Sequence, residues 1–274
     1  MAEPRLPLIV EPADLEPALN RDGILVIDLS DPPAYAQGHL PGAVNLPYSY
    51  LVRAEPPVMG LMAEEAQLSQ VLSAVGLTPD THVVAYDREG NGRASRLLWT
   101  LDVLGHEHFS LLDGGLAAWA AEQRPIEAGN VDPKPSQYQA EIRKPEALAD
   151  REYILEHLKD PSVVVLDARS APEYAGQDRR AARAGHIPGA VNLDWTATMD
   201  PARERRLLPQ EQLEQLLKDR GVTPDKEVIV HCQTHHRSAH SYVMLKSLGY
   251  EKVRGYAGSW SEWGNLPDTP VEED

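Results

Sequence analysis

A nine-residue phrase occurs twice in this chain, and that repetition constrains the fold more than any other feature. Gly38-His39-Leu40-Pro41-Gly42-Ala43-Val44-Asn45-Leu46 returns as Gly185-His186-Ile187-Pro188-Gly189-Ala190-Val191-Asn192-Leu193, a shift of 147 positions. Other blocks recur in the same order. Val26-Ile27-Asp28 with Tyr35 is echoed by Val165-Leu166-Asp167 with Tyr174. Val83-Val84-Ala85-Tyr86-Asp87 aligns with Val228-Ile229-Val230-His231-Cys232, and Gly114 with Trp119 aligns with Gly258 and Trp263. Matched blocks in one order are the mark of a duplication, so each half must build the same unit.

Each half reads as strands alternating with helices. A short apolar strand ends in Asp (24–28, 163–167), and the Gly-His-x-Pro-Gly-Ala-x-Asn turn leads into another. An acidic amphipathic helix follows (about 64–75 and 209–219) and stops at Gly76-Leu77-Thr78-Pro79-Asp80 and Gly221-Val222-Thr223-Pro224-Asp225. Then come the central strand, a loop and a helix (93–104, 237–248) that ends at Leu-Gly. A strand (109–112, 252–256) and a Trp-bearing helix close each half. The pattern predicts an α/β fold, in each half a parallel sheet with helices on both faces. With 274 residues there is chain enough for two cores. The expected domains are 1–127 and 142–274, joined by a polar, Pro- and Gly-broken linker over 128–141.

Charge narrows the partners. With 42 acidic against 26 basic residues the net charge is −16, which disfavours nucleic acid and anionic membrane surfaces. The apolar runs Ile24 to Ile27 and Val163 to Leu166 are too short to span a bilayer. Prolines interrupt the start, Met1 to Val10, so no signal peptide is read there. A single cysteine forms no intramolecular disulfide, and the expected location is cytoplasmic. The charged run Arg203-Glu204-Arg205-Arg206 reads as a solvated face or loop.

That one cysteine sits where such a fold places ligands, at the end of the central strand of the second half. The stretch Cys232-Gln233-Thr234-His235-His236-Arg237 leaves the strand and enters a helix. Backbone N–H groups of such a loop, with the helix N-terminus, form an anion cradle. A thiolate there is stabilised and its pKa falls, and Arg237 adds a fixed positive charge. The alternative of an inert buried cysteine fits poorly with its polar neighbours. A zinc site would use His231, Cys232, His235, His236 and His240, but the spacing matches no common ligand set and His231 belongs to the strand, directed away from Cys232. In the first half Asp87 replaces the cysteine and its loop, ending at Arg93, is one residue longer. One active site per chain is therefore expected. His39 and His186 lie in the turn shared by both halves and read as structural, as do Asp28 and Asp167.

On these residues the chain resembles the tandem-domain rhodaneses, thiosulfate sulfurtransferases. The resemblance rests on Asp167-Ala168-Arg169-Ser170, both Gly-His-x-Pro-Gly-Ala-x-Asn turns, the loop from Cys232 to Arg237, and the ending from Gly258 through Glu272. The filling Cys-Gln-Thr-His-His-Arg is similar to that of a bacterial subgroup, in place of the basic loops of thiosulfate-type enzymes or the Cys-Gly-Ser-Gly of mercaptopyruvate-type relatives. The resemblance implies two tandem rhodanese-like domains, the first inactive, and a double displacement through a persulfide on Cys232. Thiosulfate is the implied donor and cyanide or a thiol the acceptor, with 3-mercaptopyruvate as the alternative donor and delivery to a protein partner as a second alternative. It implies neither organic cofactor nor metal, and nothing in the pattern demands more than a monomer. Cys232 is the expected nucleophile. Arg237, Gln233, Thr234, His235, His236 and Arg169 are expected around the substrate, with Arg169 equally able to pair with a nearby carboxylate. Phosphatases and arsenate reductases of related architecture use a longer Cys-x5-Arg loop. The shorter Cys-x4-Arg here favours attack on sulfur.

Overall fold

Buried β-branched runs in each half assemble into a five-stranded parallel sheet, and the two sheets have one strand order. The computed structural model describes residues 6–19 and 21–273. Met1 to Arg5, half of the stretch on which the signal-peptide reading rests, lie outside the described residues. In chain order the first half contains β1 (Ile9–Val10), α1 (Pro12–Leu15), β2 (Ile24–Asp28), α2 (Pro32–Gln37), β3 (Val44–Asn45), β4 (Val52–Glu55), β5 (Val58–Met62), α3 (Glu65–Ala74), β6 (His82–Tyr86), α4 (Gly92–Val103), β7 (Phe109–Leu112) and α5 (Gly115–Ala121). The second contains β8 (Leu148–Ala149), α6 (Arg151–His157), β9 (Val163–Asp167), α7 (Ala171–Tyr174), β10 (Val191–Asn192), β11 (Met199–Asp200), β12 (Arg206–Leu207), α8 (Gln210–Lys218), β13 (Glu227–His231), α9 (Arg237–Ser247), β14 (Val253–Tyr256) and α10 (Ser259–Trp263).

The sheets run β1-β7-β6-β2-β3 and β8-β14-β13-β9-β10, every pair parallel. Each central strand, β6 or β13, leads into the loop that carries Asp87 or Cys232. All five residues of β6 and four of the five of β13 are buried, which is why neither shows a polar alternation. Helices α4 and α9 stop at Gly105 (φ +74°) and Gly249 (φ +84°), where a left-handed residue is needed. Trp119 and Trp263 repeat one bond as well as one position: each indole N–H donates at 2.7 Å to a proline carbonyl, of Pro125 and of Pro270. Among the described residues no helix is long and apolar enough to cross a membrane.

The chain forms two compact units whose membership departs from a simple cut. Unit 1 takes its residues from 1–51, 63–143 and 200–206, and unit 2 from 52–62, 144–199 and 207–274. Thus the β4–β5 hairpin, from the first half, belongs to the second unit. In exchange the segment 200–206 belongs to the first. Arg206, read as part of a solvated run, is instead mostly covered, with its side chain 12% exposed and paired with Glu11 (2.8 Å) and Glu122 (2.5 Å). Carboxylates distant in sequence explain the difference. The residues read as a linker hydrogen-bond along unit 1, through Gly129 to Ala36 and Ser136 to Ser73, and unit 1 runs two residues past them to Arg143, bonded to Val103.

In unit 1 the anion cradle is filled from within. Asp87 Oδ1 accepts from the N–H groups of Glu89 (2.7 Å) and Asn91 (2.8 Å). Its Oδ2 accepts from those of Arg93 (2.9 Å) and Ala94 (3.1 Å), at the start of α4. The Asp87 carboxyl thus takes up the cradle's N–H donors, although burial outweighs them and pushes its pKa above the usual carboxylate value. Asp87→Ala strands these donors. It should lower the unfolding free energy of unit 1 by about 3 kcal/mol in urea titrations, while the alkylation rate of Cys232 stays unchanged.

Candidate active site

At the end of β13, His231 faces Asp167 at the end of the neighbouring β9, its register partner. The two side chains are fully buried and approach to 3.5 Å. Burial drives the His231 pKa down to about 4 in spite of Asp167, so the imidazole is neutral near pH 7. Asp167 is held by Arg169, whose Nη2 lies 2.6 Å from Oδ2 and whose backbone N–H donates to Oδ1 at 2.9 Å. The same guanidinium donates to the Gly185 carbonyl (2.8 Å) and lies 4.3 Å from the centre of the Trp260 ring. This polar cluster ties the two strand ends to the repeated Gly-His turn below the loop.

The loop is clamped through its carbonyls. Cys232 O accepts from the N–H of Trp260 (2.9 Å) and Gln233 O from that of Ser261 (3.0 Å), at the start of α10. The Cys232 N–H donates to Ser259 Oγ at 3.3 Å. From the other side comes β5. The Met59 N–H donates to Ser261 Oγ (3.2 Å), and a Cβ on Gly60 would press on the Thr234 carbonyl and lie 2.8 Å from its Cα. Only glycine permits that approach. Within the loop His235 is buried and left-handed (φ 60°), with Nδ1 2.7 Å from Ser238 Oγ. Thr234 Oγ1 lies 3.2 Å from His236 Nδ1.

The sulfur of Cys232 is fully buried. Burial alone would push its pKa up. The Arg237 charge, the hydroxyl and N–H of Ser238 and the N–H of Thr234 outweigh it, and the net shift is downward from 9.0. Ser238 has one hydroxyl proton. If it donates to sulfur, its oxygen accepts from His235, which must then carry its proton on Nδ1. Arg237 in turn is held by Glu173, Nη1 to Oε2 at 2.7 Å and Nη2 to Oε1 at 2.9 Å. Glu173 closes a capping box with Ser170 at the start of α7. Burial opposes its ionisation, but Arg237 and Ser170 prevail and bring its pKa down to about 2. The arrangement is a buried cysteine beside a fixed cation, in surroundings that favour its thiolate, and is suited to nucleophilic attack by sulfur.

Of the residues singled out from sequence, Cys232, Gln233, Thr234, His235 and His236 form one loop between β13 and α9, and Arg237 is the first residue of α9. Arg169 does not join its rim: it is 1% exposed and occupied by Asp167. Sequence reasoning passed over Ser238, Glu173, Ser259 and Gly60. Ser238 sat beside the motif and was legible as the second residue of a helix that opens on an anion cradle. Glu173 matches Ala34 in the first half, a repeat difference that marked it. Nothing local marked Gly60, 172 positions before Cys232.

A parallel central strand that ends in a cradle of N–H groups, built twice with Cys232 in one copy and Asp87 in the other, defines the class. The Rhodanese-like domain family matches residues 11–122 and 150–266, and this chain belongs to that family. Among its relatives is a protein of Pseudomonas aeruginosa called "Thiosulfate sulfurtransferase", 46% identical over 97% of both chains. A Thermus thermophilus protein called "Sulfur carrier protein TtuD" is 34% identical over 86% of each chain. An Escherichia coli "3-mercaptopyruvate sulfurtransferase" is 32% identical over 87% of this chain and 84% of its own.

Gly60→Ala should move the Thr234 backbone. A loss of about 2 kcal/mol of stability and a changed Cys232 alkylation rate are expected, whereas Met59→Ala, which keeps the backbone N–H, leaves both nearly intact. The iodoacetamide rate at Cys232 should rise with pH about a midpoint below the ordinary thiol value of 9.0, because the thiolate is favoured in the folded loop. Arg237→Gln moves that midpoint upward.

Proposed function

We propose that this chain is a sulfurtransferase that moves the outer sulfur of thiosulfate, through a persulfide on Cys232, to cyanide or a thiol. The observation that carries the reading is the buried Cys232 sulfur among the Thr234 and Ser238 N–H groups, the Ser238 hydroxyl and Arg237, which together lower its pKa. The P. aeruginosa relative, 46% identical over nearly all of both chains, supports thiosulfate as donor. The mercaptopyruvate relative stands further off at 32%.

In the first step the Cys232 thiolate attacks the outer sulfur of thiosulfate. The new S–S bond forms as the donor's S–S bond breaks, and sulfite leaves with that electron pair. The persulfide anion lies in the same N–H cradle that held the thiolate. In the second step the acceptor attacks the outer sulfur of the persulfide, and the thiolate returns. Cyanide leaves as thiocyanate, and a thiol, once its proton is lost, leaves as a persulfide. Neither step changes the number of anions, so one fixed set of donors serves both. Gln233, Thr234 and His236, partly exposed on the loop, are assigned to the substrate path. Arg169 is assigned to holding Asp167, and unit 1, with Asp87 in the cradle, to no transfer. A lone thiol performing this cycle suits a reducing compartment, the cytoplasm. The Thermus relative's name favours one second reading, a persulfide handed on to a protein acceptor.

Incubation with thiosulfate should add one sulfur, about 32 Da, at Cys232 by intact mass, and cyanide should remove it. A folded protein that gains no mass refutes the proposal, as does phosphatase activity abolished by Cys232→Ala. A kcat/KM for 3-mercaptopyruvate more than about tenfold above that for thiosulfate would reassign the donor.

A further inference from the structure

The two arginines expected to attract an anionic donor are already committed, Arg237 to Glu173 and Arg169 to Asp167. A thiolate approached by a doubly charged anion needs another cation, and the repeats differ at one place that provides it. Tyr35 and Gly38 are three positions apart, whereas Tyr174 and Gly185 are eleven apart. The added residues contain Arg179, Arg180 and Arg183 and form neither helix nor strand.

This insertion is anchored at both ends. The N–H groups of Gln177 and Asp178 donate to the Pro172 carbonyl at 2.9 Å. Arg183 donates to the carbonyls of Trp263 (2.7 Å) and Thr269 (2.5 Å), and the Ala182 N–H to Asn265 Oδ1 (2.8 Å). Between the anchors it meets the catalytic loop, where Gln233 Nε2 donates to the Arg180 carbonyl at 3.2 Å. The Arg180 side chain is 57% exposed, and its charge interacts with both Glu173 and Arg237. Its partner Asp178, at 2.7 Å, is itself 43% exposed. An exposed pair of this kind is weak and exchanges readily for a stronger anion. Arg179 donates to the carbonyls of Ala181 and Ala182, further along the same insertion.

We propose that Arg180 is the specificity-determining cation that draws a doubly charged sulfur donor to the Cys232 loop. It releases Asp178 as the donor arrives. Because its backbone carbonyl, not its side chain, holds Gln233, its substitution leaves the loop in place. The proposal rests on the sulfurtransferase reading.

The test compares wild type with Arg180→Ala, Arg180→Lys and Asp178→Asn. For thiosulfate, Arg180→Ala should lower kcat/KM about tenfold, mainly through KM, and flatten its dependence on ionic strength between about 0.01 and about 0.15 M. Arg180→Lys should stay within about threefold of wild type, and Asp178→Asn should exceed wild type. Independently of turnover, the ratio of Cys232 alkylation rates by anionic iodoacetate and neutral iodoacetamide should fall in Arg180→Ala and recover in Arg180→Lys. A ratio and a salt slope unchanged in Arg180→Ala, with unfolding temperatures equal, overturn the assignment of Arg180. Wild-type protein that takes up no sulfur overturns the reading beneath it, and the alkylation ratio still judges Arg180.

Discussion

An anion buried at the end of a parallel strand is stable only where fixed dipoles and charges replace its water. Here that requirement falls on one sulfur atom. Converging N–H groups, the Ser238 hydroxyl and Arg237 meet it. Each of these donors must be held in turn. Glu173 fixes Arg237, the first turn of α10 fixes the loop carbonyls, and Gly60 lets β5 close on Thr234. Rigid support of this kind spares the loop the reorganisation that water would undergo around a charged sulfur.

The first unit solves the same problem differently. Its cradle is present, with N–H groups converging at the end of β6, but the Asp87 side chain occupies it. The α5 N-terminus also repeats the clamp, since the Leu116 N–H donates to Asp87 O as that of Trp260 does to Cys232 O. The two copies therefore share the geometry and differ in the group that fills it, Asp87 in one and Cys232 in the other. What unit 2 gained is equally local. Glu173 replaces Ala34, and a basic insertion lies between Tyr174 and Gly185.

Much of this was legible in the chain. The repeated Gly-His-x-Pro-Gly-Ala-x-Asn phrase, the apolar runs and the Leu-Gly stops located four of the five strands of each sheet and three helices in each half, because each signal is local and occurs twice. The loop was legible because a lone cysteine followed by polar residues, at the end of an apolar run, has few other uses. The exchanged segments were not. No local pattern says that 52–62 belongs with the second unit or that Arg206 finds Glu11 and Glu122. Edge strands of two residues, such as β1 and β8, carry too little pattern to be read at all.

By itself the sequence determined the duplication, the parallel α/β architecture, and the place and length of the loop that carries the one cysteine. These depend on periodicity, on glycine and proline, and on residue count, which neighbouring positions encode. Only the tertiary structure decided which arginine serves which carboxylate. It committed Arg169 to Asp167 and Arg237 to Glu173, and left Arg180 exposed beside the loop. Charge pairing depends on distances between residues remote along the chain, and packing alone sets those distances.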